Sequence, residues 1–382
     1  MFNKISKIIF SILFLSMLVF PLITTNLKKS TVSTSENRTL AQMPELYNED
    51  GTRNKDFNDG FEAWINDNIG FRSNMVIANA KMQYYLFNIL SNNSYMYLGP
   101  NGEFNYATDS MLKDYQHLDL YTEERLNDIA DSYQYISDYL ESKGKQFYYY
   151  QCWDKHSVYP EYFPDTVIQY GETSKTDGIV SALMEKTSVN VISPKQKLID
   201  GKTTYNTYSK WGDATHWTQR GAYIGYLELM DVINLNNENK YYVLKESDYN
   251  ITVTDQGSTL FGGIHKEDML EKFEIKEPKA TLSNEKLSLY AEDYRHRFFT
   301  NKYVDNDTRI LVVGDSYFDS FILDDIAESF YETLIIWGDY SKDIGNIIEE
   351  YNPDIVISEN AERCDRTSGM IAGVNAIKEK QQ

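Results

Sequence analysis

Apolar residues fill the start of the chain almost without interruption. The run from Ile8 to Ile23 has lysines before and after it, and with the two threonines that follow it is long enough to cross a bilayer. No A-x-A cleavage site follows, so residues 1–29 are predicted to form an uncleaved signal anchor, with a cleaved signal peptide as the alternative. The positive-inside rule keeps the first lysines in the cytoplasm and places residues 30–382 outside the membrane.

Helical spacing of apolar residues returns after a polar linker. Residues 57–89 have the spacing of two helices, with a turn at residues 68–70. The stretch 95–106 is predicted to form a hairpin, because Gly-Pro-Asn-Gly supplies its turn. Residues 30–110 are therefore interpreted as a helical and hairpin segment that packs on the rest of the protein.

Helical and strand patterns alternate over residues 111–382. Strands are predicted at residues 146–152, 189–192, 309–313, 333–337 and 354–358. Helices are predicted at residues 122–143, 179–186, 218–233, 318–330 and 344–351. This alternation implies right-handed crossovers and predicts an α/β fold with a doubly wound parallel sheet. The polar stretch from about residue 236 to 303 is expected to form a partly β insertion.

The charge balance excludes one class of partner. The chain has 37 Lys and Arg against 57 Asp and Glu, a formal net charge of -20, so it would repel nucleic acid. Its 31 tyrosines suit stacking on sugars, but tyrosine also fills half-buried sheet positions. The two cysteines, Cys152 and Cys364, are too few for a disulfide scaffold and lack metal-ligand spacing, so no metal or cofactor is predicted. Whether the two cysteines pair is left open.

One predicted strand leads directly into a polar turn and a helix. The strand at 309–313 runs into Gly314, Asp315 and Ser316. Ligands of open α/β sheets bind beyond the carboxyl ends of the strands. Ser316 would stand there at the start of a helix, with its backbone N–H aimed at an oxyanion, while Asp315 caps the helix or shapes the turn. Serine is a weak nucleophile without a base, so this motif needs a histidine.

A candidate base lies earlier in the chain. Among five histidines, His216 has an acid at a short spacing, Asp213, which can turn back and accept a hydrogen bond from one ring nitrogen. The other ring nitrogen would then act on Ser316. Each motif alone is common, since Gly-Asp-Ser is often a helix cap and Asp-x-x-His occurs by chance. Together they predict a Ser-His-Asp triad, with His156 as the alternative base.

The paired motifs resemble a known family. Gly-Asp-Ser with Asp-x-x-His is the signature of SGNH (GDSL-type) esterases and acyltransferases, and here the two blocks stand in the reverse, circularly permuted order. That order, with His-Trp before a helix that opens Thr-x-x-Gly-Ala, is similar to the alginate O-acetylation proteins of the AlgX and AlgJ type and to the related DHHW proteins. Further similar segments are ENRTLAQMPEL (36–46), FEAWINDNIGFR (61–72), DKHSVYPEYFP (154–164), LVVGDSYFDSF (311–321) and PDIVISENAER (353–363).

The resemblance implies a fold and three catalytic roles. The fold is SGNH-like (flavodoxin-like), and residues 111–382 are its catalytic domain, with Ser316 as nucleophile, His216 as general base and Asp213 as the acid that orients it. AlgX-type motifs have one residue between acid and histidine, whereas this chain has two, as in ordinary SGNH enzymes. The resemblance therefore supports the triad but does not identify alginate as the polymer.

Three further residues are candidates for substrate binding. Trp217 stands beside His216, where a tryptophan either stacks on a sugar or, more commonly, packs the loop. Lys155 and Arg363 each follow a predicted strand, where a cation can hold a carboxylate or an acetyl carbonyl. Structural ion pairs are the commoner alternative for both.

The family resemblance also implies a function. It indicates a single-pass, membrane-anchored O-acetyltransferase whose extracytoplasmic domain moves acetyl groups through the triad onto a cell-surface or secreted polysaccharide. A membrane-bound O-acyltransferase is the implied acetyl donor. One alternative is a carbohydrate acetyl esterase with the same triad. The other is a non-catalytic polysaccharide-binding or assembly subunit that kept the fold.

Overall fold

The computed structural model describes residues 4–27, 32–33, 38–90, 95–260, 263–283, 293 and 295–382. The chain divides into two units, one of Met1–Ser94 with Thr259–His265 and one of Tyr95–Ser258 with Lys266–Gln382. The hairpin predicted at 95–106 and all of the predicted site residues belong to the second unit.

The described elements have the following bounds. The helices are α1 (Lys4–Ile23), α2 (Phe57–Asn68), α3 (Arg72–Phe87), α4 (Asp109–Tyr115), α5 (Glu123–Glu141), α6 (Lys155–Val158), α7 (Lys175–Lys186), α8 (Lys195–Gly201), α9 (Gln219–Leu235), α10 (Ser316–Asp319), α11 (Leu323–Ala327), α12 (Ile344–Tyr351) and α13 (Thr367–Gln381). The strands are β1 (Val32–Ser33), β2 (Arg38–Thr39), β3 (Met96–Leu98), β4 (Phe104–Tyr106), β5 (Gln146–Cys152), β6 (Asn190–Ile192), β7 (Tyr249–Asp255), β8 (Thr259–Leu260), β9 (Ile264–His265), β10 (Met269–Ile275), β11 (Thr281–Ser283), β12 (Arg297–Thr300), β13 (Arg309–Gly314), β14 (Glu332–Trp337) and β15 (Ile355–Ala361). Short 3-10 helices cover Pro160–Tyr162, Glu246–Asp248, Gly338–Asp343 and Glu362–Cys364.

The first unit contains the apolar amino-terminal helix and the predicted pair of helices. α1 is long and apolar enough to cross a membrane, and none of its described residues is buried. α2 and α3 are joined by the predicted turn. A β-carbon at Gly70 in this turn would lie 1.9 Å from the Thr24 hydroxyl, so the close approach to the end of α1 requires glycine.

A mixed sheet of seven strands organises the second unit, in the order β11-β12-β14-β13-β15-β5-β6. β14, β13, β15, β5 and β6 are parallel neighbours, as the alternating pattern predicted. β12 and β11 add an antiparallel edge beside β14. Both come from the predicted insertion, so the sheet is not wholly parallel. Phe298 and Phe299 of β12 are buried, but the run is too short to be recognised as a strand from its pattern.

Aliphatic and aromatic runs build the core around this sheet. The residues of β13 and β15 are almost all buried, so both faces of the sheet are covered. α7 contacts α5, α5 contacts α13 and α13 contacts α12, while α9 packs against β6. Tyr148, Tyr149 and Tyr150 of β5 are also buried, and the Tyr149 hydroxyl donates to Gln151 at 2.7 Å. These tyrosines are core residues and not a surface for stacking sugars.

The helix predicted at 318–330 is two short helices. α10 ends at Asp319 and α11 begins at Leu323. In a continuous helix the Asp319 carbonyl would accept a hydrogen bond from the backbone N–H of the residue four positions later. It accepts a hydrogen bond from the Arg297 side chain of β12 at 2.8 Å. A contact from the antiparallel edge therefore marks the point where the helix after Ser316 ends.

Candidate active site

Parallel strands bring polar residues to one edge of the sheet. β13 ends at Gly314 and leads into Ser316, the first residue of α10. β15 leads into Arg363, and β5 leads into Asp154. Because β13, β15 and β5 are adjacent and parallel, these residues follow their carboxyl ends at the same edge.

The turn before Ser316 is held by buried carboxyl groups. The Asp315 N–H donates to Glu359 Oε2 at 2.5 Å, and the Asp315 side chain accepts from the Tyr317 N–H at 2.9 Å. Asp315 also pairs with Arg366 at 3.2 Å. Burial, followed by the charge of Asp315, raises the pKa of the Glu359 carboxyl to about 8. The predicted capping role of Asp315 is confirmed, and Glu359 adds a second support from β15.

Gly314 leaves no room for a side chain in this turn. A β-carbon there would stand 2.5 Å from Glu359 Oε2, so Gly314→Ala is expected to lower the free energy of unfolding by about 1–3 kcal/mol, as overpacking does. Chemical denaturation of the full chain in detergent measures the change. Gly178→Ala is the matched control, because its β-carbon would meet no described atom nearer than 3.8 Å. Equal destabilisation by the two changes would contradict the close packing at Gly314.

Asp213 forms a turn that presents His216 to the serine. Its Oδ1 accepts from the backbone N–H groups of Thr215 at 2.8 Å and His216 at 2.9 Å. Its Oδ2 accepts from His216 Nδ1 at 2.9 Å. Thr218 then caps α9 by accepting from the Gly221 N–H, as predicted. One carboxylate thus holds both the backbone and the ring of the histidine.

The histidine ring joins the aspartate to the serine. His216 Nε2 lies 2.9 Å from Ser316 Oγ, and the ring is stacked on Phe321 with 5.6 Å between centroids. Enclosure of the Asp213 carboxyl opposes its ionisation, but the hydrogen bonds and charge of His216 hold the pKa of Asp213 well below its usual value. An ionised Asp213 selects the His216 tautomer with its proton on Nδ1. The lone pair of Nε2 then faces the serine hydroxyl.

Arg363 also approaches the free nitrogen of His216. Its Nη2 lies 2.7 Å from His216 Nε2, while its Nη1 pairs with Asp154 and lies 3.3 Å from the Tyr317 hydroxyl. Burial opposes the charge of the guanidinium, but Asp154 outweighs it, and the pKa of Arg363 is raised above its ordinary value. A fixed cation therefore borders the position of Ser316 Oγ. Of the three predicted substrate-binding residues, Arg363 is the one that contacts the Asp-His-Ser arrangement.

Asp154 and Tyr317 connect the segments of the site, and sequence reasoning predicted neither. The Tyr317 hydroxyl lies 2.8 Å from Asp154 Oδ1, 2.8 Å from the Trp153 carbonyl and 3.0 Å from the Thr215 carbonyl. Asp154 is fully buried. Their positions in the sequence could have indicated a role at the site, because Asp154 follows the end of β5 and Tyr317 follows Ser316.

The other two predicted substrate-binding residues are buried. Trp217 is 1% exposed and its ring packs edge-on against Tyr317, so a sugar cannot stack on it. Lys155 is also 1% exposed, and its ammonium donates to the Phe104 carbonyl at 2.5 Å. Burial lowers the pKa of Lys155 to about 7. Both predictions are corrected, because these residues pack and join the loops behind the site and do not face a substrate.

The alternative base and the cysteines lie outside the Asp-His-Ser arrangement. His156 Nε2 is 3.7 Å from Glu362 Oε2, and the His156 ring packs against Tyr115, so it belongs to a different cluster. Cys152 and Cys364 are both free thiols in the described chain. The disulfide that the sequence left open is therefore not formed.

Comparison of the sequence with protein-family models and with curated proteins gave no match. PatB1 of Bacillus cereus, solved with a sulfonyl adduct, is similar in structure, with a TM-score of 0.50 at 17% identity over 66% of this chain and 94% of that chain. A DHHW family protein from Eubacterium siraeum has a TM-score of 0.46 at 13% identity, over 73% and 96% of the two chains. The O-acetyltransferase domain of Pseudomonas putida AlgJ has a TM-score of 0.43 at 13% identity, over 70% and 91%.

These identities are low, so the likeness concerns the fold. PatB1, with a TM-score of 0.50, is the solved structure that shows a fold similar to that of this chain. The DHHW family protein and AlgJ are two kinds of protein that the motifs resemble.

Proposed function

We propose that this protein is an extracytoplasmic O-acetyltransferase that moves an acetyl group through Ser316, His216 and Asp213 onto a cell-surface or secreted polysaccharide. The observation that carries the proposal is the continuous hydrogen-bonded chain, with 2.9 Å from Asp213 to His216 and 2.9 Å from His216 to Ser316. It lies beyond the carboxyl ends of parallel strands, where ligands of such sheets bind. The resemblance of the motifs to AlgX and AlgJ supplies the class of reaction.

In the first half of the reaction the serine takes the acetyl group. His216 Nε2 removes the proton of Ser316 Oγ while Oγ bonds to the acetyl carbonyl carbon. Asp213 stabilises the imidazolium and keeps the proton on Nδ1. His216 then gives the Nε2 proton to the leaving group of the donor. The bond between the acetyl carbon and that leaving group breaks, and an acetyl ester remains on Ser316.

In the second half the acetyl group passes to the sugar. A sugar hydroxyl gives its proton to His216 Nε2 and attacks the acetyl carbonyl carbon. The bond to Ser316 Oγ breaks, and Oγ recovers a proton from His216, which restores the starting state. Transfer requires that the hydroxyl of the acceptor occupies the attacking position in place of water.

Arg363 is positioned to stabilise the acetyl oxygen. Its Nη1 is held by Asp154, while its Nη2 contacts His216 Nε2, the atom that must accept the serine proton. Once Nε2 carries a proton, two N–H donors face each other, and the Nη2 donor becomes available to another acceptor. The acetyl oxygen gains negative charge as Ser316 attacks, so it is the acceptor that benefits most from this donor.

Arg363→Lys is expected to lower kcat by about 10²- to 10³-fold, the loss typical of removing an oxyanion donor. A single ammonium cannot pair with Asp154 and also reach the acetyl oxygen. Kinetics with an activated acetyl ester measure the loss, and the melting temperature shows that the fold is kept. Arg309→Lys is the matched control, because Arg309 pairs with Glu332 at the start of β13, away from the site. An unchanged kcat in Arg363→Lys would contradict the proposal that Arg363 stabilises the acetyl oxygen.

The membrane topology of the proposal rests on α1, which is apolar and long enough to span a bilayer. We place the chain as a single-pass membrane protein with its second unit outside the membrane. A membrane-bound O-acyltransferase would then deliver the acetyl group across the membrane to Ser316. The order of the two motifs, His216 before Ser316, supports a circularly permuted SGNH-like arrangement.

A transfer assay tests the proposed function. The full chain in detergent is incubated with an activated acetyl ester and an oligosaccharide acceptor, and acetylated sugar is the expected product. The His216 side chain is 19% exposed, which favours access of water and keeps a carbohydrate acetyl esterase as the second candidate. Free acetate without acetylated sugar would indicate that esterase. Activity no greater than that of Ser316→Ala would indicate a non-catalytic subunit.

A further inference from the structure

A second cluster of ionisable groups lies beside Arg363 in the chain. Asp114 of α4, His156 of α6 and Glu362 are each no more than 4% exposed. Their potential ligand atoms all lie within 4.8 Å of one another. Together with Lys175 and Arg363 they line a cavity of about 20 Å³. A space of this size holds a single ion or a single water molecule.

His156 has no hydrogen-bond partner at Nε2 among the residues that the structure describes, although this atom is buried. A buried polar atom left without a partner costs free energy, so such an atom in a folded protein calls for an explanation. Burial lowers the pKa of His156, and the nearby Asp154 and Asp114 do not reverse this. An imidazole nitrogen of this kind is a common metal ligand.

Two carboxyl groups complete the cluster, and the cations Lys175 and Arg363 line the same cavity. Burial, followed by the charge of Glu362, raises the pKa of Asp114 to about 6. Burial, followed by the charge of Asp154, raises the pKa of Glu362 to about 8. Arg363 borders the cavity but is paired with Asp154. A metal ion in the cavity would lie within reach of both carboxyl groups and of His156 Nε2.

The donor set fits a divalent transition-metal ion, and one separation between its ligand atoms is close to the spacing that such an ion requires. Zinc binds imidazole nitrogen and carboxylate oxygen at about 2.0–2.2 Å in tetrahedral geometry, which sets neighbouring ligand atoms about 3.3–3.6 Å apart. His156 Nε2 and Glu362 Oε2 are 3.7 Å apart, close to that spacing. Calcium and magnesium prefer oxygen ligands alone, so the histidine favours an ion of the zinc class.

Outer contacts hold the carboxylates in place. Glu362 accepts from the Asp154 N–H at 2.8 Å and from the Ser157 hydroxyl at 2.6 Å. Asp114 accepts from the Lys175 N–H at 3.2 Å. Such contacts orient the ligands of a metal site and support its affinity.

We propose that Asp114, His156 and Glu362 bind one divalent metal ion of the zinc class. The site is separate from Ser316 and independent of the proposed reaction, and no step of acetyl transfer is assigned to the ion. Bound there, the ion ties α4 to the segments that follow β5 and β15, one of which carries Arg363. The sequence analysis predicted no metal because these three ligands come from distant segments and have no recognisable spacing.

Zinc titration of the full chain in detergent, stripped beforehand with a chelator, tests the proposal. One Zn²⁺ per chain is expected by calorimetry, with a melting temperature that rises with Zn²⁺ concentration. His156→Ala is expected to weaken Zn²⁺ binding by at least about 100-fold. Removing a residue that only orients a metal ligand already lowers metal affinity by about 10- to 100-fold, and His156 is a proposed ligand itself. His117→Ala is the matched control, because it changes a histidine outside the cluster. His216→Ala is also expected to leave the affinity unchanged, which separates this site from zinc bound at the proposed triad.

Absence of stoichiometric Zn²⁺ binding by the wild-type chain would overturn the proposal. So would equal affinity in His156→Ala, or loss of binding in His216→Ala. The wild-type measurement decides the question even where His156→Ala does not fold. Calcium provides a comparison, since Ca²⁺ that competes equally with Zn²⁺ would count against His156 as a ligand.

Discussion

Ser316→Ala is expected to reduce acetyl transfer by about 10⁴- to 10⁶-fold, the range seen when a triad nucleophile is removed. The change removes the oxygen that lies 2.9 Å from His216 Nε2 and that would carry the acetyl group between donor and sugar. His216 and Asp213 keep their mutual hydrogen bond, so substrate binding should persist while the covalent step is lost. The rate at which the full chain forms acetylated oligosaccharide measures the effect.

An exposed serine provides the control for this loss. Ser320 lies just after α10, and Ser320→Ala removes a hydroxyl from the same segment without touching His216. It is expected to leave the transfer rate unchanged. Transfer by Ser316→Ala at the wild-type rate would mean that another group carries the acetyl, and the mechanism proposed for Ser316 would be wrong.

Asp213→Asn is expected to lower kcat by about 10⁴-fold while the fold is kept, as the same change does in other serine triads. Asp213 Oδ1 accepts from the N–H groups of Thr215 and His216, so the asparagine carbonyl oxygen must take that position. The asparagine amide then points its N–H at His216 Nδ1, which has to accept. The histidine proton is thereby moved to Nε2, where it faces Ser316 and removes the base.

Kinetics and unfolding together check the Asp213→Asn prediction. kcat with an activated acetyl ester measures the loss, and Asp231→Asn, on the exposed side of α9, is the matched control. A single cooperative unfolding transition shows that the variant still folds, at a lower melting temperature than wild type. A kcat near the wild-type value in Asp213→Asn would mean that Asp213 does not select the tautomer of His216.

The stability of the turn should also depend on pH. The pKa of Asp213 is lower in the folded protein than its usual value, because hydrogen bonds and charge from His216 outweigh its enclosure. Its contribution is therefore complete above the unfolded pKa of about 4 and is lost as the pH falls below it. The difference in melting temperature between wild type and Asp213→Asn is expected to shrink as the pH is lowered from neutrality towards 3. A difference that grows on acidification would contradict the lowered pKa.

Local patterns were sufficient to predict the elements that carry the site. The aliphatic runs at 309–313 and 354–358 are confirmed as β13 and β15, because strands buried on both faces need continuous apolar residues. The turn that ends in Ser316 and the Thr218 cap of α9 were also predictable, since caps and turns depend on a few adjacent residues. These elements bring the histidine and the serine to one edge of the sheet.

Contacts between distant segments were not predictable from local patterns. Asp154 and Tyr317 are 2.8 Å apart in space but 163 positions apart in the chain. The burial of Trp217 and Lys155 likewise depends on loops from several strands meeting behind the site. Tertiary packing decides each of these features, and one sequence carries no local signal for it. The same reason explains why the edge strand β12 was assigned to an insertion.

Mass spectrometry of the acetylated chain tests the central claim most directly. The full chain in detergent is mixed with an activated acetyl ester and quenched in acid before digestion. We expect a single acetyl group on the peptide that contains Ser316, absent from Ser316→Ala and lost when an oligosaccharide acceptor is added and acetylated sugar appears. Acetylated sugar formed without any acetyl group on Ser316, or acetyl groups found only on other residues, would contradict the account.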